Sequence, residues 1–152
     1  IGDFMGKHLR AFRAGANIIG YKKNDINYLM TCAWAMMVDF DKIAMLIGTQ
    51  SVTGNNLEIG MNVGVSALAE GQQEIARIMG TTHSDEINKL ENVSYTQDQN
   101  MLLINNAKVL MKCEVYDIKD IYGDYMVFLK VKDFEENEGE FVDVYDPLCY
   151  KK

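Results

Sequence analysis

A short run of hydroxyl residues is the part of the sequence best suited to bind a ligand. Thr49, Ser51 and Thr53 occupy every second position between Gly48 and Gly54. At a strand-to-helix turn, hydroxyls and free backbone N–H groups together favour an anion. The run therefore predicts a phosphate site that needs no Lys or Arg. The same residue types also serve as helix caps and turn formers, and the spacing alone leaves both interpretations open.

A second candidate segment is Met30-Thr31-Cys32-Ala33-Trp34, in which a hydroxyl and the single tryptophan flank two small side chains. The indole could form a cofactor wall, or it could anchor a core or an interface. Cys32 could belong to a pocket or be a buried structural thiol. Asn62 and Val63 open the next strand and complete the set of candidate positions.

The cysteines and histidines argue against a metal centre. Cys32, Cys113 and Cys149 are widely spaced and form no Cys-x-x-Cys pair, so neither a disulfide framework nor a zinc site is expected. His8 and His83 are too few for a His-rich site. His83 follows Thr81 and Thr82 in a polar loop, where it is either solvated or turned towards a ligand. Reduced thiols suggest the cytoplasm.

Composition predicts a soluble single domain covering residues 1–152. Apolar residues make up 48% of the 152 residues and charged residues 24%, which is typical of globular proteins. The formal charge of −7 opposes a nucleic-acid partner. The start of the sequence does not resemble a signal peptide. The longest mostly apolar run, Met30–Val38, is too short to span a membrane, so no membrane association is expected.

Strand patterns dominate the chain. Met126, Phe128 and Lys130 alternate with their neighbours at a period of two, which predicts the second arm of a hairpin around Tyr122-Gly123-Asp124. Short apolar runs bounded by turn residues predict the other strands. The expected strand segments are Ala16–Tyr21, Tyr28–Val38, Lys42–Gly48, Met61–Leu68, Ala107–Ile118, Asp124–Lys132 and Phe141–Tyr145.

Two helices interrupt the strands. Thr53 is the expected N-cap of a short helix that runs through Leu57 and Ile59. Glu70–Met79 has one apolar face and is followed by Gly80, which predicts a second helix. Many strands with a few helices, and no Gly-x-Gly-x-x-Gly, favour a β-barrel over a Rossmann fold. Two polar stretches are expected to be turns: Tyr95–Asn100 and Asp133–Glu140.

The order of these motifs resembles the flavin-reductase-like family of FMN-binding split barrels. That family has a Met-Thr-x-(Ser/Ala)-Trp-like strand end, an apolar strand, a Thr/Ser-x-x-Thr turn and an Asn-Val strand. A helix with Gln and Ala that ends near Met-Gly follows, then an Asp-Lys-Phe stretch and a late hairpin. The matching segments are Met30–Trp34, Ile43–Ile47, Thr49–Thr53, Asn62-Val63, Gln72–Gly80, Asp85–Leu90, Lys112–Val115 and Gly123–Tyr125.

The resemblance implies a mainly β split barrel of Greek-key type with a few short helices. It also implies FMN, with FAD as a possible replacement, in a homodimer whose subunits complete each other's pockets. By carry-over, four residues would line the isoalloxazine or ribityl chain: Thr31, Cys32, Ala33 and Trp34. Four others would hold the phosphate: Thr49, Gln50, Ser51 and Thr53. Asn62 and Lys89 are further expected contacts.

Two departures from the family pattern concern catalysis. Family reductases often carry Gly-Asp-His where this chain has Gly123-Asp124-Tyr125, and that His is associated with the nicotinamide side. Tyr125 in place of this His therefore counts against direct NAD(P)H oxidation more than it counts against flavin binding. The loop after the Trp strand reads Asp39-Phe40-Asp41-Lys42 and lacks the family's Pro-Pro.

Three functional interpretations follow. The first is a flavin reductase or a flavoredoxin-like electron-transfer protein that uses electrons from NAD(P)H and serves a redox partner protein. The second is a non-catalytic FMN-binding or partner-binding split-barrel dimer. The third is a structural dimer without a cofactor. Turnover of NADH or NADPH separates the first from the others, and bound yellow flavin separates the second from the third.

Overall fold

The chain forms a mainly β split barrel, which a computed structural model describes for residues 7–151. Two α-helices lie between the strands: α1 (Val52–Asn55) and α2 (Gln73–Thr81). The described part of the chain contains nine strands: β1 (Asn17–Lys23), β2 (Ile26–Cys32), β3 (Ala35–Asp39), β4 (Lys42–Ile47), β5 (Asn62–Ala67), β6 (Tyr95–Asp98), β7 (Met101–Ile104), β8 (Val109–Ile121) and β9 (Asp124–Glu136). The prediction of a β-rich split barrel is confirmed.

All the strand pairings are antiparallel, and β1 lies at the centre of the topology. The sheet runs in the order β3, β4, β9, β8, β5, β1, β7, β6, and β2 pairs with β1 as a branch. The first half of β1 lies between β2 and β5, whereas Tyr21 pairs with Met101 of β7. This branching lets one sheet curve round a core, because β1 changes partner along its length.

The interior contains two apolar clusters. One fills the barrel between β1, β2, β4, β5, β8 and β9, and Met45, Val63 and Leu129 are completely buried in it. The other lies between β1, β7, α2 and the C-terminal residues, with Ile18 and Leu102 at its centre. Strands β1, β4 and β7 are apolar on both faces because they lie between these two clusters or under other elements.

Several predicted strand boundaries are wrong. Tyr28–Val38 is not one strand: β2 ends at Cys32 and β3 begins at Ala35. Tyr95–Asn100 is not a turn, since β6 and β7 form a hairpin whose turn contains Gln99 at φ 54°. The hairpin was missed because the polar residues of β6 lie on the solvent-facing edge of the sheet.

The C-terminal predictions also need correction. The first part of Asp133–Glu140 is not a turn, since β9 continues to Glu136 and keeps its carboxylates in solvent. Phe141–Tyr145 is not a strand but makes two isolated bridges, from Phe141 to Ala69 and from Asp143 to Gly15. A short 3₁₀ helix, Pro147–Cys149, follows it.

The helices were located correctly but their ends were not. Ser51, not Thr53, is the N-cap of α1, and its hydroxyl accepts a hydrogen bond from the Gly54 N–H at 3.1 Å. The helix ends before Leu57. In α2 the helix continues through Gly80 to Thr81, so Gly80 does not end it. No helix in residues 7–151 is long and apolar enough to cross a membrane.

A glycine pair allows β7 to pass close to the centre of the sheet. Gly20 of β1 and Gly64 of β5 are register partners, and the Leu102 carbonyl lies against both. A Cβ atom on Gly64 would lie far inside van der Waals distance of that carbonyl oxygen, and one on Gly20 would lie 2.9 Å from it. Because the obstacle is backbone, a side chain could fit only if β7 moved.

We expect Gly64→Ala to lower the free energy of unfolding by about 2 kcal/mol, because the added methyl group overpacks the β5–β7 contact. Gly15→Ala is the matched control, since its Cβ would meet its nearest neighbour at an ordinary 3.5 Å. Its effect should stay within about 0.5 kcal/mol. Urea unfolding of both variants measures the difference. Equal effects would show that the close approach does not require glycine.

Candidate functional site

A cavity of about 210 Å³ lies where the β4–α1 turn faces β2 and the end of α2. Ser51 and Thr53 form one wall, and Thr31 of β2 forms the opposite side. The complete set of lining residues is Met30, Thr31, Gly48, Gln50, Ser51, Val52, Thr53, Met79, Gly80, Thr82, His83, Ser84 and Lys89. Most of these side chains are hydroxyls, amides or cations, and the set contains no carboxylate.

The α1 side of the cavity is held in place by internal hydrogen bonds. Besides capping α1, the Ser51 hydroxyl lies 3.1 Å from the Met30 sulfur. Thr53 is 2% exposed, and its carbonyl accepts a hydrogen bond from the Tyr21 hydroxyl. Thr53 is also one of the residues that line the cavity.

Lys89 provides the only buried positive charge on this cavity in the described structure. Its side chain is 3% exposed, and its ammonium donates hydrogen bonds of 2.7 Å to the carbonyls of Leu29 and Met79. Burial lowers the pKa of Lys89 to about 8. No carboxylate within residues 7–151 pairs with it, and an ammonium can donate a third hydrogen bond. A buried cation without a counter-ion favours an anionic ligand.

The loop after α2 attaches Lys89 to the free edge of β2. The Ser84 hydroxyl accepts from the Leu29 N–H at 3.0 Å and donates to the Leu29 carbonyl at 3.1 Å. The Thr31 hydroxyl donates to the Ala76 carbonyl of α2 at 2.7 Å. These bonds give both backbone groups of Leu29 partners without another strand, and they join β2, α2 and Lys89 in one wall.

A second, apolar cavity of about 460 Å³ contains two more of the predicted residues. Ala33 and Trp34 line it, together with Leu46 of β4 and Met126 of β9. Trp34 is 55% exposed. We call this space the apolar cavity and the first one the anion cavity.

The two cavities adjoin along two chain segments. Thr31 and Gly48 line the anion cavity, and Ala33 and Leu46, each two residues away, line the apolar cavity. Two residues of extended chain span about 7 Å. The Leu46 N–H donates to the Trp34 carbonyl at 2.9 Å, which holds the two strand ends side by side. One extended ligand could therefore reach both cavities.

Seven of the ten predicted site residues line one of the two cavities, and three do not. It brings Thr31, Gln50, Ser51, Thr53 and Lys89 together at the anion cavity, and Ala33 and Trp34 at the apolar cavity. Thr49 is exposed and lines neither cavity, and its carbonyl accepts from the Asn55 side chain at 2.7 Å. Cys32 is buried, and its thiol lies 3.6 Å from the carbonyls of Trp34 and Leu46. Asn62 lies elsewhere, beside Lys22 and Lys23.

Several cavity residues were missed or underrated by the sequence interpretation. Thr82 and Ser84 follow Gly80 in a run of hydroxyl residues that could have indicated a wall of the site. His83 is exposed at the rim of the same cavity. Burial raises the pKa of the Cys32 thiol to about 11, so it is not a reactive thiolate. No group of three or more metal-ligating side chains occurs in residues 7–151.

The fold and the two cavities define a split barrel with a polar, cationic pocket beside an apolar one. The chain belongs to the flavin reductase like domain family, whose model matches residues 9–152. A search of curated proteins by sequence gave no match.

Solved structures of low sequence identity share the fold. The NADH:FAD oxidoreductase of Streptomyces globisporus is 17% identical, with a TM-score of 0.77 over 87% of this chain and 82% of that chain. An FMN-binding protein from Thermus thermophilus is 13% identical, with a TM-score of 0.77 over 91% and 79%. A flavoredoxin from Methanosarcina acetivorans is 11% identical, with a TM-score of 0.74 over 91% and 74%.

The buried ammonium predicts a pH dependence of stability in the ligand-free chain. Because the folded pKa of Lys89, about 8, lies below its usual 10.5, the unfolded chain holds more protons between these values. The free energy of unfolding should therefore rise with pH, relative to Lys89→Met, by about 1.4 kcal/mol per pH unit above pH 8. Urea unfolding of both proteins from pH 7.5 to 9.5 measures this difference. A constant difference would show that the ammonium is not desolvated.

Proposed function

We propose that this chain is a flavin-binding oxidoreductase that holds the phosphate of FMN in the anion cavity. The observation that carries the proposal is Lys89, a buried cation that no carboxylate within residues 7–151 neutralises. Thr53, a buried hydroxyl residue, lines the same cavity. A phosphate in this cavity would supply Lys89 with a counter-charge.

The volumes of the cavities support placing the flavin phosphate in the anion cavity and the ring system in the apolar cavity. At about 210 Å³, the anion cavity is below the roughly 300–1,000 Å³ of pockets that enclose whole ligands. It suits a phosphate and part of a ribityl chain. The apolar cavity of about 460 Å³ suits a flat ring system, with Trp34 and Ala33 on its wall. The residues present therefore fit the two ends of a flavin.

Each wall would have a distinct part in holding the cofactor. Lys89, Thr53 and the α1 side would bind the phosphate, with Gln50 at the rim. Thr31 and the backbone of residues 32–34 would follow the ribityl chain and the ring. A bound flavin supplies hydride and one-electron transfer, and the protein supplies orientation and polarity. FAD is a possible replacement. Gln50 and His83 are exposed residues of the anion cavity, so its phosphate end is open to solvent and could admit a ligand that extends beyond the phosphate.

The electron donor and acceptor are part of the same proposal. The structural neighbours include an NADH:FAD oxidoreductase and a flavoredoxin, which supports NAD(P)H as electron source and a redox partner protein as acceptor. Tyr125 favours the alternative of a non-catalytic FMN-binding module. It pairs with Ile47 at the end of β4, two residues from Thr49, where family reductases often have His.

An absorption spectrum of the full chain after gel filtration with added FMN, FAD or riboflavin tests the cofactor. Retained flavin absorbance supports the proposal, and no retention from any of the three would refute it. NADH or NADPH oxidation with ferricyanide as acceptor then separates the oxidoreductase from the binding module. Flavin retention without turnover would favour the module.

Lys89→Met should weaken FMN binding about tenfold to a hundredfold, because it removes one charge-assisted contact to phosphate. Binding of riboflavin, which has no phosphate, should be nearly unchanged. Lys130→Met, at an exposed position on β9, removes the same charge and should affect neither ligand. Fluorescence titration measures all three proteins, and circular dichroism checks that they are folded. Equal losses for FMN and riboflavin would place the phosphate elsewhere.

We also propose that the chain is a homodimer in which the β3 side forms the contact. Strand β3 is one edge of the sheet, so its outer N–H and C=O groups lack strand partners within residues 7–151. It is unusually apolar for an edge: Met36, Met37 and Val38 are about half exposed or more, and Phe40 beyond it is fully exposed. A second copy would cover these side chains.

Met37→Asp should shift the chain from dimer to monomer, because it places a charge in the proposed contact. Met37 lies outside both cavities, so flavin chemistry is not altered directly. Tyr122→Asp is the control, since Tyr122 is fully exposed at the β8–β9 turn. Light scattering at micromolar concentration measures the mass. A monomeric wild type, or a dimeric Met37→Asp variant, would contradict this interface.

A further inference from the structure

The N-terminal segment forms part of the wall of the apolar cavity. Five residues of its lining come from the short 3₁₀ helix Lys7–Arg10 and the segment after it: His8, Leu9, Phe12, Arg13 and Ala14. Leu9 and Phe12 contribute apolar surface to the cavity, which Trp34 and Met126 also line. This N-terminal segment therefore lies beside the space that would receive the ring.

Charge on this cavity has one sign. Its lining includes His8 and Arg13 but no carboxylate. Arg13 is exposed at the rim and forms no salt bridge within residues 7–151. The remaining lining residues are apolar except for the Tyr145 hydroxyl. A guanidinium is always protonated and presents several N–H donors in one plane.

We propose that Arg13 binds the polar pyrimidine edge of the flavin ring and favours the reduced cofactor over the oxidised one. This inference rests on the proposed flavin site. A flavin ring has one apolar end and one end with carbonyl and ring-nitrogen acceptors. The apolar walls suit the first end, and the Arg13 guanidinium suits the second.

The preference for the reduced cofactor follows from charge. Two-electron reduction with uptake of one proton leaves one net negative charge on the ring, located mainly at the pyrimidine end. Dithionite, or a reduced pyridine nucleotide, supplies the two electrons. Arg13 would stabilise that charge, whereas its interaction with the neutral oxidised ring would be weaker. Arg13 therefore raises the affinity for reduced flavin more than that for oxidised flavin.

Arg10 provides a matched control for Arg13. It lies in the same segment and is exposed, but it does not line the cavity. Arg10→Gln and Arg13→Gln therefore change the net charge equally, and only Arg13→Gln changes the cavity rim. His8→Gln tests the other basic group on the same wall.

The test is a dithionite titration of the FMN-loaded full chain with a reference dye, which gives the midpoint potential of each variant. Arg13→Gln should lower the ratio of affinities for reduced and oxidised FMN about tenfold, or about 30 mV for a two-electron couple. It should still retain oxidised FMN through gel filtration, with an unchanged unfolding transition. Arg10→Gln and His8→Gln should match the wild type.

The outcomes distinguish this inference from the proposed function. Absence of flavin in the wild type would refute both. Retained FMN with an unchanged potential in Arg13→Gln would refute only the role of Arg13. Equal shifts for Arg10→Gln and Arg13→Gln would show a general charge effect, and a shift confined to His8→Gln would assign the role to His8. Both results would overturn the proposal.

Discussion

The hydrogen bonds of the Lys89 ammonium connect the elements on which the site depends. They join the Leu29 carbonyl on the free edge of β2 to the Met79 carbonyl near the end of α2. Ser84 strengthens the same junction through both polar groups of the Leu29 backbone. The junction positions the wall of the anion cavity, and its cost is a buried charge without a carboxylate partner in residues 7–151. A ligand phosphate would supply the missing counter-charge.

The two cavities adjoin where β2 and β4 end. Thr31 and Ala33 are two residues apart on one segment, and Gly48 and Leu46 are two residues apart on the other, with one residue of each pair in each cavity. The break in the sheet at Ala33 and Trp34, which the hydropathy pattern did not indicate, is the point where the polar part changes to the apolar part. An elongated ligand with one charged and one flat apolar end matches this surface.

Much of the fold could be predicted from local sequence, and the predictions that failed did so for physical reasons. The β8–β9 hairpin and strand β4, which is apolar on both faces, were predicted because their hydropathy patterns are regular. The β6–β7 hairpin was not, since β6 is an exposed polar edge and its turn uses Gln99 at positive φ instead of glycine. Ser51 rather than Thr53 caps α1, because the helix begins at Val52 and the Ser51 hydroxyl accepts from the Gly54 N–H.

The fold class, the family and a run of hydroxyls suited to an anion could be predicted from the sequence, because they depend on residue types and short spacings. Which residues share a cavity depends on the tertiary structure. It joined Lys89 to Ser51 and Thr53 across 38 and 36 positions of chain, and it separated Asn62 from them. It also placed Arg13 and Trp34 on the same cavity. These contacts depend on strand order and on burial, which have no local pattern in the sequence.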